Sequence, residues 1–230
     1  MADQLDLYFL GSPHLELDGI PITFDRNKAL VLLAYLAIER GPHTREALAT
    51  LLWPDYDHEH AYAYLRRTLW TINDGLGENW LAVSREQVEL PPNPGLEVDV
   101  WRFQAALDEC SQHGHPTTEI CPRCIHPLEQ AVSIYRGDFL AGFSLRDTAV
   151  FDEWQTYQSE KFRADLASAL QRLSMAFSEQ GEDQQAITAA RRWLALDLLN
   201  EAAHRQLMLA YAQSGQRNAA LRQQWHFANS

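Results

Sequence analysis

Positive charge is scarce in this chain: 19 Lys and Arg stand against 31 Asp and Glu, a net charge of −12. The balance counts against nucleic acid as a partner, because phosphate contacts supply much of protein–DNA affinity and a basic face is the usual footprint. Long apolar runs are missing too. The best stretch, Ala29 to Ile38, falls short of the roughly 18 residues a membrane helix requires and is flanked by Lys28 and Glu39, so no membrane partner is expected. Residues 1–11 are acidic where a signal peptide is basic, which reads as a cytoplasmic protein. No phosphate-binding glycine loop, Gly-x-Ser-x-Gly or His-Glu-x-x-His occurs, and their absence argues against an enzyme. Cysteine is rare, with three in 230 residues, so a disulfide framework is excluded. Gly and Pro are modest and 46% of the residues are hydrophobic, the composition of a folded globular chain.

What is present organises itself by period. Leu5, Leu7 and Phe9, then Leu15 and Leu17, then Ile20, Ile22 and Phe24 alternate, with breaks at Gly11-Ser12-Pro13 and Asp18-Gly19, which predicts a small antiparallel sheet. From Asn27 the spacing turns helical through Leu30, Leu33, Ala34, Ala37 and Ile38, and Gly41-Pro42 stops it. A second helix follows, capped by Thr44, striped by Ala47, Leu48, Leu51 and Leu52, and ended at Trp53-Pro54. A third is predicted over 59–76, with Ala61, Leu65, Thr68, Leu69, Ile72 and Leu76 inward. Two short apolar runs around Ser84-Arg85-Glu86-Gln87 read as a hairpin. Sheet, three helices and hairpin give an α+β winged helix-turn-helix at residues 1–97, a layout that puts the third helix in the major groove and the hairpin beside it on the backbone.

Residues 98–230 read as an all-α second domain, with helices over 98–110, 125–135 and 151–177. Leu173, Ala176, Gly181, Ala186 and Ile187 recur 34 residues later as Leu207, Ala210, Gly215, Ala220 and Leu221, the tetratricopeptide period. The glycines should end the first helix of each pair. The last helix runs out near Trp225, so Leu207, Ala210, Tyr211 and Leu221 are expected to stay partly open and to draw a second copy or another protein. Trp101, Phe103, Trp154, Phe162 and Phe177 sit at helical spacings and are assigned to packing.

Two constellations carry chemistry. On the third helix, 100° per residue turns His60, Ala63, Arg67, Trp70 and Thr71 outward and leaves Tyr64 and Arg66 on the flanks. The adjacent cations Arg66 and Arg67 suit phosphate or guanine, and Arg85 sits on the wing. Residues 1–97 hold seven Lys/Arg against fifteen Asp/Glu, a net −8, so a DNA partner rests on where these few cations stand. The second constellation is Cys110, His113, His115, Cys121 and Cys124, with His126 beside it. Cys-x-x-Cys next to histidines is a zinc-knuckle pattern. Cys121, Cys124 and His115 are the expected ligands, with either His113 or Cys110 as the fourth. Four protein ligands leave no position for water, so the zinc would be structural and would hold the loop from Gly114 to Ile125.

At Leu65-Arg-Arg-Thr-Leu-Trp-Thr-Ile72, together with Leu10-Gly11 and Trp53, the chain resembles the winged-helix domain of the antibiotic-regulatory-protein (SARP) type of bacterial activators. Val98-Asp-Val-Trp-Arg-Phe103, Tyr135-Arg-Gly-Asp-Phe-Leu-Ala-Gly-Phe143 and Glu201-Ala-Ala-His-Arg-Gln-Leu-Met208 resemble the bacterial transcriptional activator domain that follows it there. The resemblance implies sequence-specific binding of double-stranded DNA and activation of transcription. Thr71, Asn73 and Asp74 stand where relatives carry more basic residues, which implies weak intrinsic affinity, helped by a homodimer or by RNA polymerase. The alternative is a protein-interaction adaptor whose winged helix no longer binds DNA, a reading that the acidic balance favours.

Overall fold

The computed structural model describes residues 3–116, 120–145 and 148–228, apart from the side chains of residues 226 and 228. They form two compact units, one of residues 1–102 and 136–159, the other of 103–135 and 160–230. The fold is an α+β winged helix-turn-helix followed by an all-α, tetratricopeptide-like helical repeat.

In the first unit, β1 (Leu5–Tyr8), β2 (His14–Leu17), β3 (Ile20–Ile22) and β7 (Leu96–Val98) make a sheet of order β3-β2-β1-β7. Leu5, Leu7 and Leu15 face the core, as the two-residue period requires. Asp18 and Gly19 both have positive φ, 52° and 75°, the geometry of a two-residue hairpin turn that matches strand twist. Strand β7 is a finding that periodicity missed: Val98, expected to open a helix, instead pairs parallel with Leu7, and a three-residue strand has no period to read.

Helix α1 (Asn27–Glu39) is buried more widely than its predicted stripe, since Val31, Leu32 and Leu36 are inside as well. Residues from 136–159 supply cover: Trp154 donates to Glu39 Oε1 at 2.6 Å and packs on Tyr35. The same stretch is tied to β1, with the Leu140 N–H donating to Phe9 O at 2.8 Å. Asp99 fastens the end of β1 from another direction, its carboxylate accepting from the Phe9 and Leu10 N–H groups at 2.9 Å. Burial pushes the Asp99 carboxyl up, against those N–H groups and Arg136, which pull it down. After β4 (His43–Thr44), Thr44 caps α2 (Arg45–Leu52) by accepting from the Ala47 N–H. Asp57 caps α3 (His58–Leu76) and Gly77, at φ 90°, ends it. Strands β5 (Ala82–Val83) and β6 (Gln87–Glu89) form the wing, joined by β4 into a sheet of order β4-β6-β5.

The second unit contains α4 (Asp99–Ser111) from Phe103 onward, α5 (Pro122–Ile134), α6 (Ala149–Gln180) from Glu160 onward, α7 (Asp183–Leu196), α8 (Glu201–Gln213) and α9 (Arg217–Ala228). Phe103, Tyr135 and Phe162 meet in its core, Phe103 lying edge-on to Phe162. The 34-residue repeat has a structural identity. Gly181 and Gly215 have φ of 74° and 75°, and each is followed by the same closing bond, Glu182 N–H to Phe177 O and Gln216 N–H to Tyr211 O, both 2.8 Å. One expectation fails: Leu207, Ala210 and Tyr211 are buried, because α9 and α7 both pack on α8. Of the four residues expected to stay open only Leu221 does, at 63% exposed.

Candidate nucleic-acid interface and metal cluster

Helix α3 buries the six residues Ala61, Leu65, Thr68, Leu69, Ile72 and Leu76 along one face. The opposite side therefore presents His60, Arg66, Arg67 and Trp70 to solvent, Trp70 at 64% exposed. Ala63 and Thr71 are half-buried on its edges, and the Thr71 hydroxyl donates within the helix to Arg67 O at 3.0 Å. Tyr64 is turned back into the protein, where its ring packs against Trp53 and Tyr56, with centroids 6.1 and 5.0 Å away, and fixes the link between α2 and α3. His60 Nδ1 lies 2.8 Å from the Asp57 carboxylate. The His60 backbone N–H, then its side chain, hold that carboxyl below its ordinary range.

The wing is pinned at its turn. Ser84 Oγ accepts from the Glu86 and Gln87 N–H groups, and Arg45 at the start of α2 donates through Nε to Ser84 O at 2.9 Å. Arg45 was not legible as a site residue, since its partner lies 39 positions on and no local pattern marks it. Arg85, at the tip, is exposed. Two further cations of the unit have work inside the protein. Lys28 donates to Leu52 O and sits 4.9 Å over Trp53, and Arg40 lies 4.7 Å over Trp101. Among the described residues Arg66, Arg67 and Arg85 carry no such hydrogen bond, ion pair or ring contact. In an acidic domain, three of the cations left for a partner are on the third helix and the wing, while Arg26 and Arg102, also without such contacts, lie off those elements.

In the second unit, His113, His115, Cys121 and Cys124 bring one donor atom each to within 4.8 Å of one another, a group able to hold a metal ion. Helix α4 ends before His113, and Gly114 at φ 74° turns the chain so that His115 returns toward α5. Cys121 is the N-cap of α5, with Pro122 in its first turn and the Cys124 N–H bonded to Cys121 O at 2.9 Å. Cys124 Sγ lies 3.1 Å from His113 Nδ1, 3.1 Å from His115 Nε2 and 3.6 Å from Cys121 Sγ. Desolvation raises the Cys121 thiol, but hydrogen bonds with Cys124, the Arg123 N–H and His115 outweigh it and bring it down to about 6.

Cys110 is not brought into the group. It is buried in α4 and its S–H donates to the Cys124 carbonyl at 3.6 Å, with burial first and the neighbouring Cys124 next pushing it up to about 11. A signal for this was present in the sequence: Phe103, Ala106 and Cys110 continue one buried helical stripe. His126 points elsewhere, its Nε2 3.0 Å from Gln130 Nε2. Of the loop from Gly114 to Ile125, residues 117–119 lie outside the described residues.

This architecture, a winged helix with free cations on its third helix and a helical repeat after it, defines a class of regulator-type proteins. Residues 98–227 match the model of the bacterial transcriptional activator domain. The chain belongs to that family, in the SARP-type arrangement in which the winged helix precedes the domain. No curated protein gives a significant match to the chain. The solved structure of Mycobacterium tuberculosis EmbR in complex with a low-affinity phosphopeptide is similar to it, with a TM-score of 0.70 at 23% identity over 96% of this chain. The likeness is one of fold, and the chain spans 58% of that relative's length. Among the described residues no helix is long and apolar enough to cross a membrane.

Proposed function

We propose that the chain is a DNA-binding transcriptional activator without enzymatic activity, working in the cytoplasm on double-stranded DNA. In this reading residues 1–97 are the DNA reader and residues 98–230 the signalling part. Helix α3 enters the major groove, Arg66, Arg67 and Trp70 face base edges or phosphates, and Arg85 on the wing touches the backbone. The observation that carries the reading is that Arg66, Arg67 and Arg85, three exposed cations of an acidic unit with no hydrogen bond, ion pair or ring contact of their own, fall on these two elements. The helical unit takes the protein partner, RNA polymerase or a second copy of the chain. Zinc is the ion we propose for the His2Cys2 cluster, because thiolate and imidazole together suit it.

The adaptor reading keeps one observation in its favour, the net charge of −8 over residues 1–97. Selection from random double-stranded DNA with the full chain, followed by binding of the winning sequence across a salt series, separates the two. The activator reading expects a defined motif bound at least about a thousandfold more tightly than random sequence. Failure to enrich any motif at low salt favours the adaptor.

A further inference from the structure

We infer that zinc, if the reading of the cluster just given holds, is bound by His113, His115, Cys121 and Cys124 as a closed four-ligand site that clasps the end of α4 to the start of α5, with Cys110 outside it. The donor geometry already has the scale of the complex. Zn–S bonds of about 2.3 Å and Zn–N bonds of about 2.1 Å at tetrahedral angles put S···S near 3.8 Å and S···N near 3.6 Å. The structure has 3.6 Å between the two sulfurs and 3.1 to 3.4 Å between sulfur and imidazole nitrogen. For these four pairs insertion of the ion requires the donors to part by a few tenths of an ångström, and the remaining pairs lie within 4.8 Å.

The surroundings orient those donors. With His115 Nδ1–H donating to Pro116 O at 2.9 Å, the lone pair is on Nε2, the nitrogen that faces Cys124. Cys124 is fully buried on the same face of α5 as Leu128 and Ala131, so one ligand is anchored in the core while Cys121, His113 and His115 close over it from the surface side. Two thiolates balance a divalent ion, so the occupied site is neutral and can sit beside this apolar stripe without a buried charge. Four protein ligands exclude water, which makes the ion a staple and gives it no hydrolytic role.

The test uses the full chain without a histidine tag. Metal analysis should find one zinc per chain. Replacement by cobalt(II) should give the strong visible bands of a four-coordinate ion, with charge transfer from two sulfurs. Cys110→Ser should keep both the stoichiometry and the spectrum. Cys121→Ser, a half-buried site chosen because the buried Cys124 bears on folding, should lose the ion with helix content retained by circular dichroism. Hydrogen exchange on chelation should then lose protection in the segments that end α4 and open α5. A chain that takes up neither zinc nor cobalt overturns the zinc reading itself. Metal bound with weak five- or six-coordinate bands, or a spectrum that changes in Cys110→Ser, leaves zinc in place and overturns the closed His2Cys2 assignment.

Discussion

On α3 the side chains of Arg66, Arg67 and Trp70 point into solvent; at the junction of α4 and α5 the histidines and cysteines point at one another. Arg66, Arg67 and Trp70 satisfy nothing inside the protein, whereas His113, His115, Cys121 and Cys124 have each other. The difference teaches where function and stability are separable. Groups directed outward can be removed with little cost to the fold, since surface substitutions away from caps and buried networks usually stay within about 0.5 kcal/mol. Convergent groups cannot, because deleting one leaves its partners buried or unpaired.

The sharpest check on the inward half of this comparison is Asp99, whose carboxylate holds the Phe9 and Leu10 N–H groups in the core. Asp99→Ala leaves both donors without their acceptor and should cost about 3 kcal/mol in urea unfolding. A loss below about 0.5 kcal/mol would break the contrast. The helix-ending glycines come next. Gly215 has φ 75° and open space where a Cβ would stand, so Gly215→Ala should cost about 1 kcal/mol of backbone strain. Gly181, at φ 74° and with the same open space, should match it, and unequal losses would show that the two repeat turns are not equivalent. On the outward side, Arg85→Ala should leave the unfolding midpoint alone while lowering the salt slope of DNA binding by about one unit, without changing the preferred motif. The smallest effect on the fold belongs to Trp70→Ala, a shift in stability within about 0.5 kcal/mol despite the loss of a whole indole. A larger loss would mean that the ring has a structural contact.

Much of this was legible in the sequence, and the residues say why. The buried face of α3 was readable from its 3.6-residue period, and Thr44 marked a helix start by capping chemistry that acts over three residues. The repeat was readable because Gly181 and Gly215 are needed for the same left-handed turn. Elements set by distant partners were not. Strand β7 exists because Leu96 and Val98 find Leu5 and Leu7 some ninety residues away, and residues 136–159 join the first unit through Phe9 and Glu39. The metal cluster was readable as a set of residue types, since its members lie within twelve positions, but the fourth ligand was left between His113 and Cys110. The turn at Gly114, which the spacing alone does not determine, is what sets His113 and His115 beside the two cysteines.

Whether α3 reads DNA is tested most directly by a salt titration on the selected DNA motif, comparing the full chain with Arg66→Ala/Arg67→Ala. If both cations face phosphates, the double variant should lower the slope of log affinity against log salt by about two units. If one instead holds a guanine, the motif should relax at that position with a loss of about 1 to 3 kcal/mol. In either case the unfolding midpoint should not move. A double variant with unchanged affinity, slope and motif would contradict the account and take α3 out of the interface.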